Sequence, residues 1–158
     1  MPHNVHDFEI NLHWTGNTGQ GTADYRAYSR DHEITAPAKS FLIAGSAART
    51  FRGDATRYNP EELLIAALSA CHMLSLLHLC ADAGITVTEY RDIAFGRMEL
   101  QPDGSGHFTE VSLHPDMLIR EPERVAEAIE LHHKAHQLCF IANSVNFPVH
   151  AVPKVTAA

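Results

Sequence analysis

The chain opens with an alternation of apolar and polar residues that predicts a β-hairpin. Within residues 5–12, the even positions hold His6 and then the apolar Phe8, Ile10 and Leu12, which is the two-residue period expected of a strand with one covered face. A polar, glycine-rich stretch follows at 16–21. We therefore expect a hairpin tip there, a returning strand at 22–30, and a further short strand within 34–44.

The middle of the chain changes to a helical pattern. Residues 45–58 have no hydrophobic period and predict a loop,. The residues Asn-Pro-Glu-Glu at 59–62 then form a helix start, because the asparagine can cap, the proline suits the first turn and the second glutamate completes a capping box,. The run 63–83 is apolar on nearly every face and ends before Gly84. This pattern predicts a long helix that is buried on all sides.

The second half predicts another hairpin, a helix and a last strand. Two strand-like segments, 85–100 and 107–119, are joined by a turn rich in glycine,. A helical period begins at Pro122 and runs to Cys139, and 147–155 has the composition of a strand,. Strands and helices in this order predict an α+β fold, in a single domain spanning residues 1–158.

Composition excludes several classes of function. The 158 residues are 45% apolar, carry a formal charge of −7 and include no cluster of lysine and arginine, so we expect no nucleic-acid partner. No run of apolar residues reaches membrane length without interruption, and the start from Met1 to Asn4 lacks a basic and then apolar leader; we expect a cytoplasmic protein with no membrane contact. The twelve histidines lack the spacing of metal ligands, so we expect neither metal nor cofactor.

The three cysteines are the candidate chemistry. Cys71 and Cys80 lie nine residues apart on one predicted helix, on opposite faces and about 13 Å apart along the axis, so they cannot form a disulfide with each other,. A redox pair within one chain must therefore include Cys139, with either of the other two. The alternative is that each cysteine is simply a small buried apolar residue.

The segment 59–71, which reads Asn-Pro-Glu-Glu-Leu-Leu-Ile-Ala-Ala-Leu-Ser-Ala-Cys, resembles the central motif of the OsmC/Ohr family of osmotically inducible and organic hydroperoxide resistance proteins. The resemblance implies two antiparallel β-sheet halves around a long central helix, in an intertwined homodimer. It also implies that Cys71 attacks an organic hydroperoxide and that Cys139 resolves the sulfenic acid as a disulfide. Cys80 is then a core residue.

The family also has an arginine that stabilises the thiolate and a glutamate that holds the arginine. Glu61 matches the glutamate of the motif. Arg52, near a Phe-x-Gly pattern, is the first choice for the arginine and Arg49 the second. Ohr-type members take their arginine from the first hairpin, where two further candidates lie, Arg26 and Arg30. The family proline after the second cysteine is replaced here by Phe140.

The position of Glu61 leads to a prediction about assembly. Ten residues of helix span about 15 Å, so Glu61 cannot touch Cys71 of its own chain. If two copies of the helix cross antiparallel near Ala66, Glu61 of one copy lies beside Cys71 of the other. We therefore expect an obligate homodimer with composite sites at its interface. Glu61 can also serve simply as a favourable charge at the helix N-terminus.

The favoured function is a thiol peroxidase of oxidative stress defence that acts on organic hydroperoxides, with an apolar pocket from residues such as Met73, Leu74 and Phe140. The resemblance implies a dithiol reductant, for example a lipoylated protein. A non-catalytic protein that binds a small molecule on the same fold is the alternative. A metal site of Cys71, Cys139 and nearby histidines ranks last. We expect structural or solvent-facing roles for the histidines near the cysteines, which are His72, His78, His132, His133 and His136.

Overall fold

A computed structural model describes residues 4–158. The start of the chain, Met1 to His3, on which part of the expected cytoplasmic location rests, lies outside the described residues. The chain divides into two compact units, one up to Leu63 and the other from Leu64 to Ala158. The expectation of a single domain stays a prediction.

The first unit contains a three-stranded antiparallel sheet in the order β1 (Asn11–Trp14), β2 (His32–Thr35) and β3 (Ile43–Gly45). An antiparallel β1-β2 pair exists, but the predicted first strand at 5–12 is displaced to 11–14 and residues 4–10 form no strand. The predicted returning strand at 22–30 is wrong, because β2 pairs with β1. The predicted strand within 34–44 is likewise divided between β2 and β3.

The segment between β1 and β2 is irregular because side chains take the carbonyl groups that a strand would use. The indole of Trp14 donates to the Ser29 carbonyl at 2.8 Å. The guanidinium of Arg30 donates to the carbonyls of Tyr25 and Tyr28 at 2.8 and 2.6 Å. A single bridge between Asn17 and Tyr28 is the only strand-like pairing that the described residues have within this segment.

The central helix α1 (Pro60–Ala83) begins and ends as predicted. The amide of Glu62 donates to Asn59 Oδ1 at 2.8 Å, and the amide of Asn59 donates to Glu62 Oε2 at 3.2 Å, which is the expected capping box,. Gly84 ends the helix with a φ of 71°, a conformation that favours glycine,. The predicted loop before the helix is confirmed except for one short 3₁₀ turn at Arg49–Phe51.

The prediction that α1 is buried on all sides is wrong for the single chain. Its buried face contains Leu68, His72, Leu76, Leu79 and Cys80. The exposed positions include Ala66, Ala67, Ala70 and Leu74, and the side chain of Leu74 is 63% exposed. By length and composition alone α1 could also cross a membrane, a test that the core helices of globular proteins pass as well,.

The second unit contains two three-stranded sheets. The long predicted hairpin exists, but each of its arms is broken, giving β4 (Val87–Asp92), β5 (Phe95–Leu100), β6 (Gly106–Leu113) and β7 (Pro115–Ile119). Strand β5 pairs with β6 and β4 pairs with β7, so the two halves of the hairpin belong to different sheets. The amide of His114 donates to Asp92 Oδ1 at 2.7 Å and fixes the break.

The end of the chain completes both sheets and covers one of them. Helix α2 (Val125–Leu138) follows a 3₁₀ turn at Pro122–Arg124. The predicted last strand is split into β8 (Val149–Ala151), parallel to β6, and β9 (Lys154–Ala157), parallel to β7. The larger apolar core joins α1, α2 and the β4-β7-β9 sheet, and it contains Leu76, Leu79, Cys80, Ile85, Met117, Ile119, Ala128, Ala135 and Val155. The expected α+β class is confirmed.

Candidate functional site

The second unit brings two of the three cysteines together. Cys71 lies half-buried in the middle of α1, and Cys139 is buried immediately after the end of α2. Burial raises the pKa of the Cys139 thiol to about 11, and the neighbouring Cys71 thiol adds to the shift,. The amide of Ala142, which lies 3.5 Å from Cys139 Sγ and donates to it, lowers the pKa of Cys139 and so opposes this shift. Two reduced thiols therefore lie side by side, one from α1 and one from the residue that follows α2.

Cys80 has a different environment. Its side chain is 1% exposed and packs in the apolar core with Leu76 and Met117. Burial raises the pKa of its thiol, and the carboxylate of Glu127 acts in the same direction. This cysteine is therefore held as a protonated, inaccessible thiol, as expected of a core residue.

A pair of buried histidines lies next to the cysteines. His72 Nε2 and His132 Nδ1 are 3.1 Å apart, and the rings stack with centroids separated by 5.3 Å. Burial lowers the pKa of His72, and burial together with the nearby His72 lowers that of His132 to about 4. Both rings are neutral at pH 7. His78 and His133 are exposed.

The sequence signal for this pair is the helical period. His132 lies four residues after Ala128 and three before Ala135, and both alanines are fully buried. The ring therefore belongs to the apolar face of α2. Within residues 4–158, no group of three or more histidine, cysteine or acidic side chains is placed to hold a metal ion.

Glu61 lies in the first unit, in the wall of a cavity of about 460 Å³. Its Oε2 atom is buried and has no hydrogen-bond partner among the described residues. Arg30 lines the same cavity, and its guanidinium stacks over the rings of Tyr25 and Tyr28 at 4.3 and 4.1 Å. The larger side chains of the wall are those of Trp14, Tyr28, Arg30, His32, Phe51 and Glu61.

The other candidate arginines lie elsewhere. Arg26, Arg49 and Arg52 are exposed and do not line the Glu61 cavity. Arg52 has a φ of 65°, a left-handed conformation that an arginine adopts only where the surrounding loop imposes it,. The signal that could have favoured Arg30 is its spacing from Tyr25 and Tyr28, whose rings and carbonyls hold the guanidinium in place.

Two residues of the expected apolar pocket are open to solvent. The side chain of Phe140 is 80% exposed, and that of Leu74 is 63% exposed. Met73 is half-buried. Phe140 follows the buried Cys139 directly, and its carbonyl accepts a hydrogen bond from Ser144 Oγ at 2.7 Å.

Comparisons with known proteins agree on the family. The family model described as OsmC-like protein matches residues 53–152. An OsmC-like protein of unknown function from Vibrio cholerae is 29% identical, with a TM-score of 0.85 over 95% of this chain and 100% of that one. No curated protein matches the sequence.

Two solved structures with lower identity share the fold. An organic hydroperoxide resistance protein from Elizabethkingia anophelis is 20% identical, with a TM-score of 0.66 over 98% of each chain. The organic hydroperoxide resistance protein OsmC from Legionella pneumophila is 18% identical, with a TM-score of 0.68 over 96% of this chain and 98% of that one. The family match and the shared fold together identify this chain as a member of the OsmC-like protein family.

Proposed function

We propose that this protein is a thiol peroxidase that reduces organic hydroperoxides, with Cys71 as the attacking thiol and Cys139 as the resolving thiol. The observation that carries the proposal is the contact between these two reduced thiols, of which Cys71 is half-buried and Cys139 is buried. Two relatives of the same fold are named organic hydroperoxide resistance proteins. Cys80, enclosed in the core, takes no part.

The first chemical step oxidises one sulfur atom. The Cys71 thiolate attacks the outer oxygen of the hydroperoxide, the O–O bond breaks, and the alkoxide leaves as an alcohol after taking a proton. The product is a sulfenic acid on Cys71. A half-buried position suits this step, because the sulfur must meet substrate while staying shielded from other oxidants.

The second step forms the disulfide. The Cys139 sulfur attacks the Cys71 sulfenic sulfur, the hydroxyl leaves, and the proton of the Cys139 thiol completes a molecule of water. An external dithiol then reduces the disulfide and returns both thiols. We propose a lipoylated protein or a similar dithiol for this role and a cytoplasmic location, where such reductants keep cysteines reduced.

The cation that stabilises the Cys71 thiolate would come from a second chain. Glu61 and Cys71 are separated by about 15 Å of one helix, so a contact between them requires two copies of α1. The exposed stripe of Ala66, Ala70 and Leu74 would be covered in such a homodimer,. Arg30, in one cavity with Glu61, is our choice for the cation; the sequence pattern had favoured Arg52.

Turnover with a dithiol tests the proposal. The reduced protein, mixed with cumene hydroperoxide and dihydrolipoamide, should consume peroxide catalytically. Cys71→Ser and Cys139→Ser should each reduce consumption to the background rate of the dithiol. Cys80→Ser, which replaces a core cysteine of the same helix, is the matched control and should retain turnover. Equal activity of Cys71→Ser and the unaltered protein would rule the proposal out.

The cavity favours a second candidate function, the binding of a small molecule without catalysis. Its wall includes the aromatic rings of Trp14, Tyr28 and Phe51, and the one carboxylate there, Glu61, has a buried oxygen without a partner in the described chain. An apolar ligand that carries a hydrogen-bond donor or a positive charge would fit such a wall. Tight binding of such ligands by a protein that shows no peroxide turnover would favour this function.

A further inference from the structure

Helix α1, which carries Cys71, and helix α2, which ends directly before Cys139, share a buried polar contact within the second unit. His72 follows Cys71 directly on α1, and His132 lies seven residues, about two turns, before Cys139 on α2,. Each side chain is 1% exposed, and the 3.1 Å contact between Nε2 of His72 and Nδ1 of His132 requires one ring to donate and the other to accept,. The contact therefore fixes the separation and the rotation of both rings.

This contact lowers the stability of the fold, because it buries polar atoms without hydrogen-bond partners,. The outer nitrogens, Nδ1 of His72 and Nε2 of His132, are buried and have no partner among residues 4–158. An apolar pair of similar volume would fill the same space without leaving polar atoms unsatisfied. What the histidines supply beyond packing is a directional bond between two neighbouring helices.

The chemistry of Cys139 makes such a bond useful. Because burial raises the pKa of the Cys139 thiol to about 11, the second step begins from a very small thiolate fraction at pH 7. Its rate then depends on how well the sulfur is held near Cys71, because proximity can replace reactivity by several orders of magnitude.

We propose that the His72–His132 pair positions Cys139 for disulfide formation and takes no part in the attack on the peroxide. The inference rests on the proposed function and adds a positioning role to it. Neither ring needs to touch the substrate. The pair acts through the helices, and its loss leaves Cys71 able to form the sulfenic acid while the condensation with Cys139 slows. The unresolved sulfenic acid on the half-buried Cys71 then meets a second hydroperoxide and becomes a sulfinic acid,.

Paired substitutions separate the hydrogen bond from simple packing. The amide of asparagine places a polar atom near the position of a histidine Nδ1, and that of glutamine places one near Nε2. His132→Asn and His72→Gln therefore keep a polar atom at the contact, whereas His132→Gln and His72→Asn move it away. The exposed His78→Gln serves as a control on the same helix. Thermal unfolding establishes which variants fold.

We expect the mismatched variants to lose the Cys71 thiol at the normal rate but to form the disulfide more slowly. After a severalfold excess of cumene hydroperoxide, which leaves oxidant for a second step at the same sulfur, time-resolved mass spectrometry should show unchanged loss of the Cys71 thiol in His132→Gln and His72→Asn. The Cys71–Cys139 disulfide should form at least about tenfold more slowly, and the sulfinic fraction should rise. His132→Asn and His72→Gln should recover most of the disulfide rate. Unchanged disulfide rates in the two mismatched variants, or equal loss in all four, would overturn the inference.

Oxidation with diamide makes the inference independent of peroxide chemistry. This diazene accepts two electrons and two protons from a pair of thiols and forms a disulfide without any hydroperoxide. If the unaltered protein fails to consume peroxide but the mismatched variants slow the diamide reaction, the proposed function is wrong and the positioning role stands. If peroxide is consumed and diamide forms the disulfide equally fast in every folded variant, only the positioning role is wrong.

Discussion

At the scale of single residues, the main electrostatic feature is a histidine that stays neutral inside the fold. Burial, with smaller contributions from His72 and His133, lowers the pKa of His132 from 6.5 to about 4. Its partner His72 shifts in the same direction, because burial and His136 outweigh the opposing carboxylate of Asp92. His132 is therefore protonated below about pH 6.5 in the unfolded chain but only below about pH 4 in the native protein.

This shift predicts a loss of stability in mild acid. Between pH 6.5 and 4 the unfolded chain binds more protons at His132 than the folded chain, so the free energy of unfolding falls as the pH falls,. From pH 7 to pH 5 the loss should be about 2 kcal/mol from this residue. Urea unfolding at the two pH values measures it.

The matched variant for this prediction is His132→Asn, which keeps a polar atom at the contact but does not titrate. It should show a smaller fall in the free energy of unfolding over the same pH range. The carboxyl groups whose pKa is lowered in the fold, such as those of Asp54 and Glu121, titrate mainly below this range. An equal fall in both proteins would assign the pH dependence to other groups.

At the scale of helices and strands, the elements fixed by local sequence were predictable. The capping box of Asn59 and Glu62 and the stop at Gly84 follow from interactions within one or two turns of helix,. The hairpin turn before β6 was predictable for the same reason, since Asp103, Gly104 and Ser105 determine it locally,.

The elements that depend on distant contacts were not predictable. The prediction of a returning strand at 22–30 is wrong because side chains bind its carbonyl groups. Trp14 donates to the carbonyl of Ser29, and Arg30 donates to those of Tyr25 and Tyr28. The break in the second hairpin depends on Asp92, whose carboxylate accepts bonds from His114 on the opposite arm and from Ser69 of α1. Neither set of partners has a signature in the pattern of apolar positions.

The sequence proposes candidates for the site only to the same limited extent. Cys71 and Glu61 come from the motif at 59–71 and Cys139 from the end of the next helix, and their roles stay predictions. The choice among arginines depends on which side chain the folded loop between β1 and β2 turns toward Glu61. The pattern of apolar positions does not reveal it, and the one local signal is the spacing of Arg30 from Tyr25 and Tyr28. The contact between His72 and His132 joins residues sixty positions apart, so no local pattern encodes it.

At the scale of the whole molecule, α1 has more apolar surface than one chain covers. The exposed stripe of small residues and Leu74 suits a second copy of the helix,. Our proposal places Cys71 of one chain beside Glu61 and Arg30 of the other. Each chain then supplies half of each site.

Mixing two inactive variants tests this arrangement. Cys71→Ser and Arg30→Gln should each be impaired, the second by about a hundredfold because a cation at the reacting sulfur is lost. After subunit exchange, about half of the dimers contain one chain of each kind, and each of these has one intact site. Turnover should therefore return to about a quarter of the rate of the unaltered protein. A mixture no more active than its components would place the whole site within one chain.

The most direct test of the central claim compares the three cysteines within one molecule. The fully reduced protein is mixed with one equivalent of cumene hydroperoxide, the reaction is stopped at intervals with a thiol-blocking reagent, and each cysteine is mapped by mass spectrometry. The proposed mechanism predicts that the Cys71 thiol is lost first, that a Cys71–Cys139 disulfide follows, and that Cys80 stays reduced. Oxidation of Cys71 no faster than that of Cys80 would contradict it.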